Sequence, residues 1–143
     1  MKRIIPQNLI EKTVYEAVLQ MNRELPPDVE EKIIQASQQE TSETGRIILN
    51  RIIDNIQIAR DQSMPICQDT GMIWCLAEAG AECILEGNLQ TIIENAVAKA
   101  YQDGFFRQSV VDDPLFRREN TRTNTPIVFF CQQTSGDKLK ISL

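Results

Sequence analysis

Histidine is absent from all 143 residues. That absence excludes a Ser-His-Asp triad, a Cys-His pair and any histidine-ligated zinc site within the chain. Aromatic residues are few, and glycine and proline number six each. With 42% apolar and 24% charged residues, the composition is that of an ordinary globular chain rather than a disordered or low-complexity one. No apolar run approaches the roughly 18 residues of a membrane span. The opening Met1-Lys2-Arg3-Ile4-Ile5-Pro6 is basic, but Glu11 and Lys12 interrupt any apolar stretch behind it, so no signal peptide is expected. The net charge of −5 and the lack of an extended basic stripe argue against nucleic acid as a partner, although Arg117, Arg118 and Arg122 lie close together. Four cysteines, Cys67, Cys75, Cys83 and Cys131, in a chain without export features read as reduced thiols and place it in the cytoplasm.

What is present falls into two halves. Over the first sixty residues the apolar residues recur at helical spacing. Leu9, Ile10, Val14, Ala17, Val18 and Met21 mark one face of a helix over 7–22. Pro27 opens a second, carrying Val29, Ile33 and Ala36, with Asp28 and Glu30 in its first turn. Thr41 or Ser42 caps a third, whose buried side is expected to hold Ile48, Leu49, Ile52, Ile53, Ile56 and Ala59, and which ends before Pro65. Strand formers then take over from Met72 to Ala79 and from Glu82 to Leu85. Asn88 caps one more helix, with Leu89, Ile92, Ile93, Ala96, Val97 and Ala100 inward and Gly104 as its stop. Residues 105–126 have no period, and an irregular stretch that long in a small domain is functional or disordered. Ile127 to Cys131 and Lys138 to Leu143 alternate like strands and read as a hairpin around Thr134-Ser135-Gly136-Asp137. The expected fold is α+β: N-terminal helices, then a small, mostly antiparallel sheet with one further helix. The chain stops inside its last strand, which reads as truncation.

Two segments carry chemistry. Pro65-Ile66-Cys67-Gln68-Asp69-Thr70-Gly71 places a thiol, an amide, a carboxylate and a hydroxyl in succession between a helix and a strand. Such a loop either points several polar groups at one ligand, or is a turn in which Asp69 and Thr70 bond their own backbone while Cys67 packs as a small hydrophobe. In the second segment, Phe105 to Val111, Arg107 sits beside aromatic residues and can present its planar fork to a carboxylate. Arg117, Arg118 and Arg122 are read instead as surface cations, solvated or paired with Asp112, Asp113 and Glu119. Cys67, Cys75 and Cys83 have no ferredoxin spacing, and Cys75 and Cys131 are expected to be core thiols.

Asp54 to Arg60, Pro65 to Gly71, and Phe106 to Leu115 with Arg117, Asn120-Thr121 and Asn124-Thr125-Pro126 resemble the amino-terminal half of class I fumarases and the related L-tartrate dehydratase alpha subunits. The similarity spans nearly the whole chain. The resemblance implies a [4Fe-4S] cluster held by three cysteines, of which Cys67 is one, with an open site on the fourth iron. It also implies that Gln68 and Asp69 contact a dicarboxylate substrate and that Arg107 clamps a carboxylate. No catalytic acid or base is assigned within this chain. The other two cluster cysteines and a glycine-rich segment belong beyond Leu143, so residues 1–143 are the N-terminal portion of the catalytic region, without a cluster of their own and inactive alone. Implied partners are the remaining alpha region, a beta subunit or domain, and further copies in a homo-oligomer, with neither nucleic acid nor membrane. Fumarate and L-malate are the expected substrates. The alternatives are an L-tartrate dehydratase alpha subunit and a non-catalytic module that binds a partner protein. Thr123, where relatives have aspartate, and Phe130, where histidine is expected, depart from the pattern.

Overall fold

In this computed structural model, which describes residues 2–67 and 71–143, helices form where an apolar repeat of three and four meets a start signal. The first, α1 (Gln7–Met21), follows Pro6 and buries Ile10, Val14 and Val18. Pro27 opens α2 (Pro27–Gln39), with Asp28 and Glu30 in the first turn, where they suit the partial positive charge of a helix N-terminus. Ser42 caps α3 (Glu43–Gln62), its hydroxyl accepting from the Gly45 N–H at 3.3 Å. That helix ends at a left-handed Ser63, with the Met64 N–H returning to the Ala59 carbonyl before Pro65. Asn88 caps α4 (Leu89–Asp103) by accepting from the Thr91 N–H at 3.0 Å.

The chain divides into two compact units, Gln20–Gln68 on one hand and Met1–Leu19 with Asp69–Leu143 on the other. In the first, Glu30 pairs with Arg60 and the Ser37 hydroxyl donates to Asn50 Oδ1 at 2.6 Å, so α2 and α3 run antiparallel. Their apolar faces are only partly covered. Ile56 and Ala59 are buried, but Val29, Ile48 and Ile52 are exposed and α2 buries no residue, contrary to the expectation from their spacing. Two helices shield each other along one line of contact, and that line is narrower than an amphipathic stripe.

The second unit holds the main core. Every expected inward residue of α4 is buried, and it shares a cluster with Ile10, Val14 and Val18 of α1 and with Ile73, Cys75 and Ala77. A short strand, β1 (Arg3–Ile5), runs parallel to β3 (Cys83–Leu85). The longer β2 (Trp74–Gly80) turns Cys75 and Ala77 inward and leaves Trp74 and Leu76 exposed. It lies between β4 (Val128–Thr134) and β5 (Leu139–Ser142).

The α+β class is as expected, but the sheet pairing differs. The strands β4 and β5 do not form a hairpin. Instead β4 runs parallel to β2 with Trp74 opposite Val128, and β5 runs antiparallel to β2 with Ala77 opposite Ile141. The intervening turn wraps around the end of β2. There the N–H groups of Gly80, Ala81 and Glu82 donate to the carbonyls of Lys138, Thr134 and Gly136 at 2.8 to 2.9 Å. Gly80 permits that approach, since a Cβ there would stand 2.2 Å from the Gly136 oxygen. A central strand paired on both edges satisfies more backbone groups than a two-stranded hairpin could. Leu139, Ile141 and Leu143 pack on the core, as their alternation predicts.

Ile93 is fully buried at the centre of this core. Ile93→Ala is expected to lower unfolding free energy by about 2–5 kcal/mol, from lost transfer energy and the cavity left behind. Urea unfolding followed by circular dichroism checks this; a loss below about 1 kcal/mol would contradict the packing described.

Candidate active site

Cys67 is held by its backbone and open at its side chain. The preceding Ile66 is buried, and its N–H donates to the Asn22 carbonyl at 2.9 Å. The Cys67 N–H donates to Asn55 Oδ1 at 2.9 Å, tying the loop to α3. The residue itself is exposed. It borders a groove of about 570 Å³ lined mainly by Leu25, Ile47, Ile48, Ile52 and Ile66, with Arg51 and Asn55 as its polar members. An exposed thiol is not a packing residue, so the small-hydrophobe alternative for Cys67 does not hold. Asn55 had no assigned role in the sequence, where it is one of several amides in the helical repeat beside Asn50, Gln57 and Gln62.

Two of the other thiols, Cys75 and Cys83, are less open. Cys75 is buried, and burial pushes its thiol up to about 11, with Cys131 adding a smaller push, so it stays protonated. Cys83 is half-buried on β3. Cys131, expected in the core, is exposed, because β4 is an edge strand whose second half leaves the core. Among the described residues no three cysteine, aspartate or glutamate side chains gather into a metal site. These residues therefore fit one ligand of a cluster and not a complete cluster site. Gln68 and Asp69, expected at the substrate, lie outside the described residues.

Arg107 belongs to the second unit, and its backbone is fixed on both sides. Phe106 is buried, its ring edge-on to Tyr101 at 5.6 Å between centroids. Gly104 makes room for that ring, since a Cβ there would lie 2.5 Å from it. On the other side the Gln108 carbonyl accepts from Asn120 Nδ2 at 3.0 Å, and the Val110 carbonyl accepts from the Thr121 N–H at 3.0 Å and its hydroxyl at 3.2 Å. Asn124 Oδ1 accepts from the N–H groups of Ser109 and Val110 at 3.0 and 3.2 Å. The Arg107 side chain is exposed and has no hydrogen bond or ion pair among the described residues. A guanidinium so placed is available to a bidentate anion.

The neighbouring arginine is engaged, as expected. Arg117 reaches Asp112 at 3.2 Å and Asp113 at 3.8 Å. Asp113 also accepts from the backbone N–H groups of Leu115, Phe116 and Arg117. Those bonds, chiefly from Phe116 and Arg117, hold its carboxyl below the usual aspartate value. Thr123 bonds Thr125 side chain to side chain at 2.7 Å, and Phe130 lies exposed with its ring 6.2 Å from that of Trp74.

Comparison with known proteins defines the class. The fumarate hydratase (Fumerase) family profile matches residues 11–143. An L(+)-tartrate dehydratase subunit alpha of Escherichia coli strain UTI89 is 32% identical over 138 residues, 95% of this chain and 46% of the relative. The same subunit of strain K12 is 35% identical over 118 residues, 82% of this chain and 38% of the relative. A Geobacillus stearothermophilus relative, named provisionally as a class I fumarate hydratase, is 30% identical over 135 residues, 92% of this chain and 26% of the relative. The chain belongs to the fumarate hydratase family. It spans less than half the length of these relatives.

The Asp113 turn yields a pH dependence. Its carboxyl is depressed in the folded chain, so its contribution is complete above the ordinary value of 3.8 and is lost as pH falls through the lower folded value. Amide exchange at Phe116 and Arg117, corrected for intrinsic rates, is expected to accelerate in that acid window. In Asp113→Ala it should be fast at every pH. Equal protection in that variant would show that the carboxylate does not hold the turn.

Proposed function

We propose that this chain is part of a hydro-lyase interconverting fumarate and L-malate, and that Cys67 is one of three thiolate ligands of a [4Fe-4S] cluster. The observation that carries the reading is the placement of Cys67, exposed and held by Asn55, in a chain of the fumarate hydratase family. When bound, such a cluster supplies a Lewis-acidic iron for the hydroxyl that is added or lost. The residues of this chain do the rest of their work by binding. Arg107 offers its guanidinium fork to one carboxylate of the substrate and offsets the charge that spreads into it as the β-proton is exchanged. Gln68 and Asp69, next to Cys67 in sequence, are assigned to the hydroxyl-bearing end. The proton acceptor and donor, the other two cysteines, and the contacts to a beta subunit or domain are assigned to parts of the protein outside these residues. A cytoplasmic homo-oligomer fits this reading.

A second reading has a specific observation behind it, since relatives at 32% and 35% identity are named L(+)-tartrate dehydratase subunit alpha. The machinery would be the same and the substrate would carry a second hydroxyl.

The test is anaerobic reconstitution of the complete protein with iron and sulfide, followed by visible absorption and by assays on fumarate, L-malate and L-tartrate. We expect cluster absorption and hydration of fumarate, and Cys67→Ala to abolish both. Retention of cluster and activity in that variant would sink the assignment, and turnover of tartrate alone would select the second reading. Residues 1–143 expressed alone are expected to take up no stoichiometric cluster, because one thiolate does not hold it against loss to solvent.

A further inference from the structure

Asn124 is fully buried, adopts a left-handed backbone (φ 55), and belongs to none of the helices or strands. Its amide makes three hydrogen bonds to backbone from two distant segments. Oδ1 accepts from Ser109 and Val110, while Nδ2 donates to the Gly71 carbonyl at 3.1 Å. Oxygen faces two donors and nitrogen faces an acceptor, so the amide fits in one orientation only. Aspartate would keep the first two contacts and oppose a carbonyl with a carboxylate. Gly71 closes the motif that carries Cys67, Gln68 and Asp69, and Ser109 stands two residues beyond Arg107.

We propose that Asn124 is a positioning residue, which sets the spacing between Gly71 and the Ser109–Val110 backbone of the segment that presents Arg107. It touches no substrate and acts through those two segments. The inference rests on the hydro-lyase reading and adds a determinant of how the dicarboxylate is held. A displacement of the segment that presents Arg107 would weaken its fork on a substrate carboxylate and leave the cluster ligand in place.

Asn124→Asp in the complete, reconstituted protein isolates the Gly71 link. With cluster absorption unchanged, KM for the dicarboxylate is expected to rise about tenfold while kcat stays within about threefold. Amide exchange should show Ser109 and Val110 still protected in Asn124→Asp and unprotected in Asn124→Ala. Where the buried carboxylate prevents folding, Asn124→Ser, whose hydroxyl cannot span all three partners, takes the same measurements with the same expected rise in KM. An unchanged KM in a folded variant would overturn the inference, and so would loss of cluster absorption in step with activity, which marks a merely structural role. A wild-type protein that turns over no dicarboxylate would instead overturn the hydro-lyase reading.

Discussion

Burial of the apolar face of α4 is the interaction on which the larger unit depends. Leu89, Ile92, Ile93, Ala96, Val97, Ala100 and Tyr101 leave water together, against α1 on one side and the inward residues of β2 on another. Because the helix is fixed in rotation by that stripe, its exit at Gly104 is fixed too. Phe106 then packs back on Tyr101, and the next residue in the chain is Arg107. The placement of Arg107 is thus a downstream consequence of core packing, four residues past the end of α4.

From there to the start of β4 the chain has no regular secondary structure to satisfy its backbone, and side chains take over the task. Asp113, Asn120, Thr121 and Asn124 between them bond backbone groups of eight residues: Gly71, Gln108, Ser109, Val110, Leu115, Phe116, Arg117 and Arg122. Short polar side chains are suited to this, since they reach neighbouring main-chain groups with little entropy to lose. The same device appears in the other unit, where Asn55 holds the Cys67 amide. In both places an asparagine fixes backbone next to an exposed side chain, Cys67 or Arg107.

Much of this was legible from residue order. Helix limits followed from Pro27, Ser42, Asn88 and Gly104, which are local signals read over three or four residues. The Cys67 and Arg107 segments stood out because their residue types fit poorly in a core. The partners of those segments did not stand out. Asn55 acts across 12 residues and Asn124 across 53, and neither distance leaves a mark in a linear pattern. The sheet pairing failed for a related reason. Alternation in 127–131 and 138–143 shows which side chains face inward but does not name the neighbouring strand, and β2 supplies better partners than the two strands supply to each other.

The division between the two sources is therefore physical. Sequence alone determined the α+β class, the helix boundaries, the absence of histidine chemistry, and the two segments in which a thiol and an arginine are set apart from the core. Tertiary structure alone decided that Cys131 lies outside the core, that β2 is the central strand, and that Asn124 joins Gly71 to the backbone beside Arg107. Propensity and capping depend on neighbours along the chain. Burial and the pairing of buried polar groups depend on which distant residues arrive, and only the folded chain brings them together.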